Sequence, residues 1–249
     1  MDLTDFNKAA KNLRSRVFEA FIDTGEAHLG GSFSVIESLL YLYHQVLTPD
    51  DIFILSKAHA SYPLLLILKD MGFDNTMKTH LEFDDLNGVK ATTGSLGHGL
   101  PLGIGRALAR KMKNMPGYVY VLLSDGECQE GTTWESLLVG AHHQLDNICI
   151  IVDNNAMQAL GPTSEICDLG DLEEKFKVFG WSCIGNIDGH AYRDFEAAFL
   201  NMHSLKGPKF LICNTVKGKG IPEFENDSAW HAKKVRGNDI EIGRRRLSQ

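Results

Sequence analysis

From about residue 100 onward, short unbroken apolar runs alternate with segments of helical periodicity, a pattern that few folds satisfy. A helix predicted over 100–113 leads to the run Tyr118-Val119-Tyr120-Val121-Leu122-Leu123, and one over 131–144 leads to Ile148-Cys149-Ile150-Ile151-Val152. A helix near 171–179 leads to a strand at 181–187, and one at 191–203 leads to a strand at 209–215. Strands that are apolar at every position must be buried on both faces, so the fold class is α/β, a parallel sheet covered by helices on both faces.

The first hundred residues add to this frame. Phe6, Ala10, Leu13, Val17, Ala20 and Phe21 recur at helix spacing, predicting a helix over 4–23 that Gly25 stops. Ser34 with Glu37 three residues on has the spacing of a capping box opening a helix over 34–47, before a break at Pro49. A strand follows at Ile52-Phe53-Ile54-Leu55, then a helix over 60–71 ended by Gly72. Residues 73–98 are polar, with glycines and histidines but little periodicity, and a loop that long inside a compact domain is usually functional. No repeat or linker interrupts the chain, so 1–249 reads as a single domain; the basic run Arg244-Arg245-Arg246 reads as a solvated terminus.

Bulk properties exclude several classes of partner. A formal net charge of −7 argues against nucleic acid and against an anionic membrane surface. No apolar run approaches the ~18 residues of a membrane span, and MDLTDFNKAA has no apolar signal core. The five cysteines are odd in number and form no Cys-x-x-Cys, which fits buried reduced thiols in a cytoplasmic protein.

Two strands run into polar residues that can share a site: Ser124-Asp125-Gly126-Glu127 and Asp153-Asn154-Asn155. Open parallel sheets bind ligands beyond the carboxyl ends of their strands, and these two ends lie one strand–helix–strand unit apart. A carboxylate and an amide oxygen suit Mg²⁺, which completes its shell with water and phosphate oxygens. Gly126 lets a phosphate approach the backbone, and the following helix offers free amides. Asp-Gly and Asn-Asn are also ordinary turn residues, so the spacing alone leaves both readings open.

The run SDGECQEGTTWESLLVGAHHQLDNICIIVDNNAMQALGPT resembles the transketolase family, as do ILSKAHA at 54–60, TTGSLGHG at 92–99, and NTVKGKG with ENDSAWHAK at 214–233. The matches fall in family order across roughly residues 10–235. Asp-Gly followed about thirty residues later by Asn-Asn is the signature shared by thiamine diphosphate enzymes. The resemblance implies the thiamine diphosphate-binding (PP-type) fold and a transferase moving a two-carbon ketol unit from a ketose donor to an aldose acceptor. It implies thiamine diphosphate with Mg²⁺ (or Ca²⁺), the metal held by Asp125, Asn155 and the backbone carbonyl of Met157. Gly94, Ser95, Leu96 and Gly97 fall in the cofactor loop, where glycines admit the ligand and expose amides. Gly126 and Glu127 would add backbone contacts to the diphosphate.

Four of the ten histidines fall at family positions. His59 and His231 would approach the diphosphate; His28 and His80 would face the donor's hydroxyls and carbonyl, as neutral imidazoles can. The other six, His190 among them, read as satisfied structural residues. Lys57 and Lys217 would bring positive charge near the phosphates, solvated lysines being the alternative. Glu130 corresponds to a glutamate buried at the family's subunit interface, and Glu135 has the same reading.

A transketolase also needs a pyrimidine-binding domain with an activating glutamate, and no segment of these 249 residues is left for one. The expectation is therefore a separate C-terminal (pyrimidine-binding) subunit in an α2β2 assembly acting on sugars or sugar phosphates. Ser124 stands where the family has glycine, a substitution that is harmless if its φ is negative. AHLGGSFS lacks the family's proline, His98 replaces a glutamine, and Leu81 follows His80 in place of proline. These departures surround the donor pocket and point to an unusual or modified sugar. The alternatives are a deoxyxylulose-phosphate synthase-like or 2-oxoacid dehydrogenase-like subunit, or a non-catalytic subunit that only binds a partner.

Overall fold

The structure, a computed structural model, describes residues 2–249. Helix α1, Leu3–Thr24, is capped by Asp2, whose carboxylate accepts the Asp5 amide at 2.9 Å, and ends at Gly25 with φ 64°. Two short helices follow, α2 (Leu29–Ser34) and α3 (Ile36–Tyr41), then a π-helical turn over Leu42–Val46. Strand β1 (Ile52–Leu55) leads through a short turn to α4 (Ser61–Asp70). The next units are α5 (Gly99–Met112) with β2 (Val119–Ser124), and α6 (Gly131–His142) with β3 (Ile148–Asn154). After these come α7 (Thr163–Cys167), α8 (Leu172–Val178), β4 (Ser182–Asp188), α9 (Tyr192–Met202), β5 (Lys209–Asn214) and α10 (Asn238–Ser248).

All five strands are parallel, in the order β1-β2-β3-β5-β4. Side chains alternate between two apolar clusters, as strand geometry requires. Tyr120, Leu122, Cys149, Ile151 and Leu211 pack with α1, α3, α4 and α9 on one face. Val119, Val121, Ile148, Ile150 and Phe210 pack with α5, α6 and α8 on the other. This is the two-faced parallel sheet that the apolar runs predict.

Two local expectations are corrected, and a third, the 73–98 loop, holds with added detail. The Ser34/Glu37 pair is no capping box: α2 begins five residues earlier, Ser34 Oγ donates to Gly31 O and Asp153, and Glu37 is paired with Arg14. The polar stretch 73–98 is locally organised, with a 3-10 turn at Asp85–Asn87 closed by a bridge between Asp84 and Val89. The basic tail is helical: α10 packs on α1, Arg244 pairs with Glu19, and Arg246 pairs with Glu223. All five cysteines are free thiols, and among the described residues no helix is long and apolar enough to cross a membrane.

Candidate active site

The carboxyl ends of β1, β2, β3 and β5 converge on one cleft, where a sheet of this kind binds its ligands. Buried behind its wall, bonded to Lys57 and Asn155 that line it, is a carboxylate that the sequence motifs leave without a role. Asp153, 1% exposed, accepts hydrogen bonds from Lys57 Nζ at 2.5 Å, Ser34 Oγ at 2.7 Å, Asn155 Nδ2 at 2.9 Å and Thr215 Oγ1. Burial alone would raise its pKa, but the Lys57 ammonium and the other donors outweigh burial and hold it below the usual carboxylate range. Its position directly before Asn-Asn, at the end of a wholly apolar strand, was the available signal.

Asp153 orients two predicted residues. It takes the Nδ2 of Asn155, so Oδ1 is turned the other way and accepts the Met157 amide at 3.0 Å. It also pairs with Lys57, whose Nζ makes a second bond to Gly31 O at 3.1 Å. Lys57 lines the cleft yet is tied to Asp153, so its effect on a ligand is largely through that pair.

Asp125 contrasts with Asp153. It is equally buried, its Oδ2 accepts a long 3.4 Å bond from Thr163, and its Oδ1 has no hydrogen-bond partner within normal geometry. Burial, together with the Asp153 charge, pushes its carboxyl up to about 7. A buried, under-satisfied carboxylate beside a cleft has the disposition of a cation ligand. Asn155, Met157 and Gly126 line the same cleft, and a Cβ on Gly126 would come within 3.1 Å of Gln158. Among the described residues no three His, Cys, Asp or Glu side chains converge to hold a metal ion. A cation held by Asp125 therefore needs oxygens from an amide, a carbonyl and the ligand itself.

Ser124, also in the wall of the cleft, lies in extended β2 with negative φ, so serine is unstrained there. Its Oγ accepts the Glu127 amide at 3.2 Å. Glu127 turns towards the glycine loop: Oε1 accepts from Ser56 Oγ and from the Gly97 amide at 2.8 Å, and burial pushes its carboxyl up to about 7. Leu96 reaches the cleft, while Gly94, Ser95 and Gly97 shape the loop behind it. Gly94 and Gly97 have φ of 144° and 82°, and a Cβ on Gly94 would strike the His80 ring at 2.5 Å.

The four family-position histidines form one cluster. The His28 ring lies 5.5 Å from His59, 6.0 Å from His80 and 5.2 Å from His231, and His59 lies 5.2 Å from His231. His28 and His80 sit at φ of 80° and 61°, unusual for residues with a side chain and a mark of functional placement. Burial, then neighbouring positive charge, lowers His28 and His59, and holds His231 down at about 4. These three are therefore neutral near pH 7, able to donate and accept at once. Lys217 donates to Gln158 O at 3.1 Å, and burial beside Lys57 brings it down to about 8. Gly31, Gln129 and Gln158 also line the cleft; no motif or periodicity singled them out. Glu130 stands at its exposed mouth, before α6, and Glu135 is exposed on α6.

A helix-covered parallel sheet with a cation-ready carboxylate, a glycine loop and clustered neutral histidines at the strand ends defines a cofactor-dependent α/β enzyme domain. Residues 7–248 match the family model described as transketolase, thiamine diphosphate binding domain, and the chain belongs to that family. It is 32% identical over 239 residues to one of the subunits of the apulose-4-phosphate transketolase of Phocaeicola vulgatus, covering 88% of this chain and 85% of that one. It is also 32% identical to the 6-deoxy-6-sulfo-D-fructose transketolase subunit SqwG of a Clostridium species, covering 93% and 92%. The fold matches the transketolase of Campylobacter jejuni with a TM-score of 0.84 at 22% identity, over all of this chain and 43% of that one. The chain thus corresponds to the thiamine diphosphate-binding subunit of a split transketolase, a transferase.

Proposed function

We propose that the cleft holds thiamine diphosphate through a divalent cation, and that the chain completes an active site with a separate pyrimidine-binding subunit. The observation that carries this reading is Asp125, whose buried carboxylate oxygen has no partner at the edge of a glycine-lined cleft. Asp125, the Asn155 side-chain oxygen and the Met157 carbonyl would hold Mg²⁺ (or Ca²⁺), with the diphosphate completing its shell. Lys217 would meet the phosphates directly, with His59 and His231 beside them. Gly31, Gly126 and the 94–97 loop leave room for the ligand to approach the backbone. When bound, the cofactor supplies the electron sink for ketol transfer from a ketose to an aldose.

The remaining chemistry belongs to the chain's own side chains. His28 and His80 would bind the hydroxyls and carbonyl of the donor and hand protons to oxygens that gain charge. His231 would serve the same proton traffic nearer the diphosphate. Relatives named for apulose-4-phosphate and 6-deoxy-6-sulfo-D-fructose support a donor outside the common pentose phosphates, as does the altered sequence around His28, His80 and His98. Glu130 and the outer face of α5 and α6 would meet the partner in an α2β2 assembly. The free thiols fit a reducing cytoplasm.

The test is calorimetric titration of thiamine diphosphate with Mg²⁺ into the chain alone, then into the chain mixed with its C-terminal subunit. Weak binding alone, tight binding in the mixture and ketose cleavage only in the mixture are expected. Absence of binding in both would overturn the assignment in favour of a subunit that only binds a partner.

A further inference from the structure

The segment Asp188-Gly189-His190 lies at the end of edge strand β4, outside the cleft, yet it is bonded to the chain that supplies two site residues. The Gly189 amide donates to Asn214 O at 2.8 Å, and a Cβ at Gly189 would fall 2.5 Å from the Thr215 methyl, so only glycine allows the approach. This places the His190 ring between two partners. Its Nδ1 lies 3.0 Å from Glu37 Oε2, and its Nε2 lies 2.9 Å from the backbone nitrogen of Val216.

A backbone amide can only donate, so Nε2 must carry the lone pair and the proton sits on Nδ1, facing Glu37. Glu37 is fixed from its other side by Arg14 at 2.6 Å, an ion pair whose side chains are 9% and 7% exposed. Three elements distant in sequence, α1, α3 and the end of β4, thus join to hold one amide. The residues flanking that amide act in the site. Thr215 Oγ1 donates to Asp153, and Lys217 Nζ donates to Gln158 O in the wall of the cleft.

We infer that His190 is a positioning residue for the cofactor site: its Nε2 anchors Val216 and so sets Thr215 against Asp153 and Lys217 against the ligand. The Glu37–Arg14 pair fixes the tautomer that allows this, as outer partners fix the ring orientation of histidines in metal sites. The consequence for the cofactor rests on the function proposed above; the anchoring does not.

Two substitutions separate the ring nitrogens. His190→Gln places an amide oxygen near the Nε2 position, where it can accept from Val216. His190→Asn places an amide NH₂ near Nδ1, where it can donate to Glu37, and leaves the Val216 amide unpaired. Hydrogen exchange of residues 214–218 in the full chain reads the anchoring without any cofactor. Titration of thiamine diphosphate with Mg²⁺ into the chain mixed with its C-terminal subunit reads the consequence. Exchange about tenfold faster and affinity about tenfold weaker are expected for His190→Asn, with His190→Gln within about threefold of the unaltered chain on both. Equal behaviour of the two variants in exchange overturns the anchoring. Changed exchange with unchanged affinity overturns the link to the site, whereas an unaltered mixture that binds no cofactor counts against the function proposed above. The imidazole ¹⁵N shifts of the unaltered chain give a check that no folding failure can spoil: a proton on Nε2 overturns the proposal.

Discussion

Asp125 and Asp153 show how one chemical group takes opposite states at neighbouring strand ends. Both are buried, but Asp153 has Lys57 and three other donors while Asp125 has one unpartnered oxygen. Removing the Asp125 charge should therefore stabilise the cofactor-free chain. With a folded pKa raised from 3.8 to about 7, its favourable contribution is complete below pH 3.8 and is lost as pH rises through 7. At pH 8 the folded chain bears the full cost of the ionised group. Asp125→Asn should gain ~2 kcal/mol at pH 8 in urea unfolding, an advantage that shrinks towards pH 5. Adding thiamine diphosphate with Mg²⁺ should then stabilise the unaltered chain and leave the variant where it was. A variant no more stable at pH 8, or one that responds to cofactor, would remove Asp125 as the cation ligand.

Helix α10 is an element whose charge conceals it in the sequence. Three arginines and two acids obscure a pattern in which Gly243 and Leu247 are its buried positions. Gly243 lets α10 lie against α1, since a Cβ there would stand 2.0 Å from the Phe18 ring. Gly243→Ala should cost ~1–3 kcal/mol by overpacking and lower the calorimetric melting temperature by several degrees, with cofactor affinity unchanged. An unchanged melting temperature would mean that the helix does not dock as tightly as its glycine implies. The strands were legible because two-faced burial writes itself as continuous Val, Ile and Leu. The family motifs carried the four histidines, which stand together although they come from four separate segments, and the strand ends carried Asp125 and Asn155 as candidates. Gly31 and the His190 bridge were not legible: their positions depend on contacts between segments up to 153 residues apart, for which local sequence has no signature, and Asp153 had only its place before Asn-Asn to mark it. Ser34 failed as a cap for a related reason, its hydroxyl being drawn to Asp153 119 residues away.

At the scale of the whole molecule, helices α5 and α6, next to the cleft, leave apolar side chains exposed. Leu102 on α5 is 45% exposed, and Leu138 and Val139 on α6 are 58% and 42% exposed, with Gly131 and Glu135 on the same exposed stretch of α6 and Glu130 just before it. The two helices pack side by side, and Glu130, just before α6, lines the cleft. Apolar side chains left in water beside a binding site are the usual mark of a protein–protein contact. If the pyrimidine-binding subunit covers this face, one docking event both buries these leucines and closes the cleft over the cofactor, which explains why binding should be weak in the chain alone. Leu138→Glu tests that coupling. The side chain is exposed in the free chain, so its melting temperature should stay the same. Placed in the contact, the charge should weaken assembly with the C-terminal subunit by ~30-fold or more in sedimentation or mass photometry, and cofactor affinity of the mixture should fall with it. Assembly that survives Leu138→Glu unchanged would move the partner to another face and leave the closed cleft without its lid.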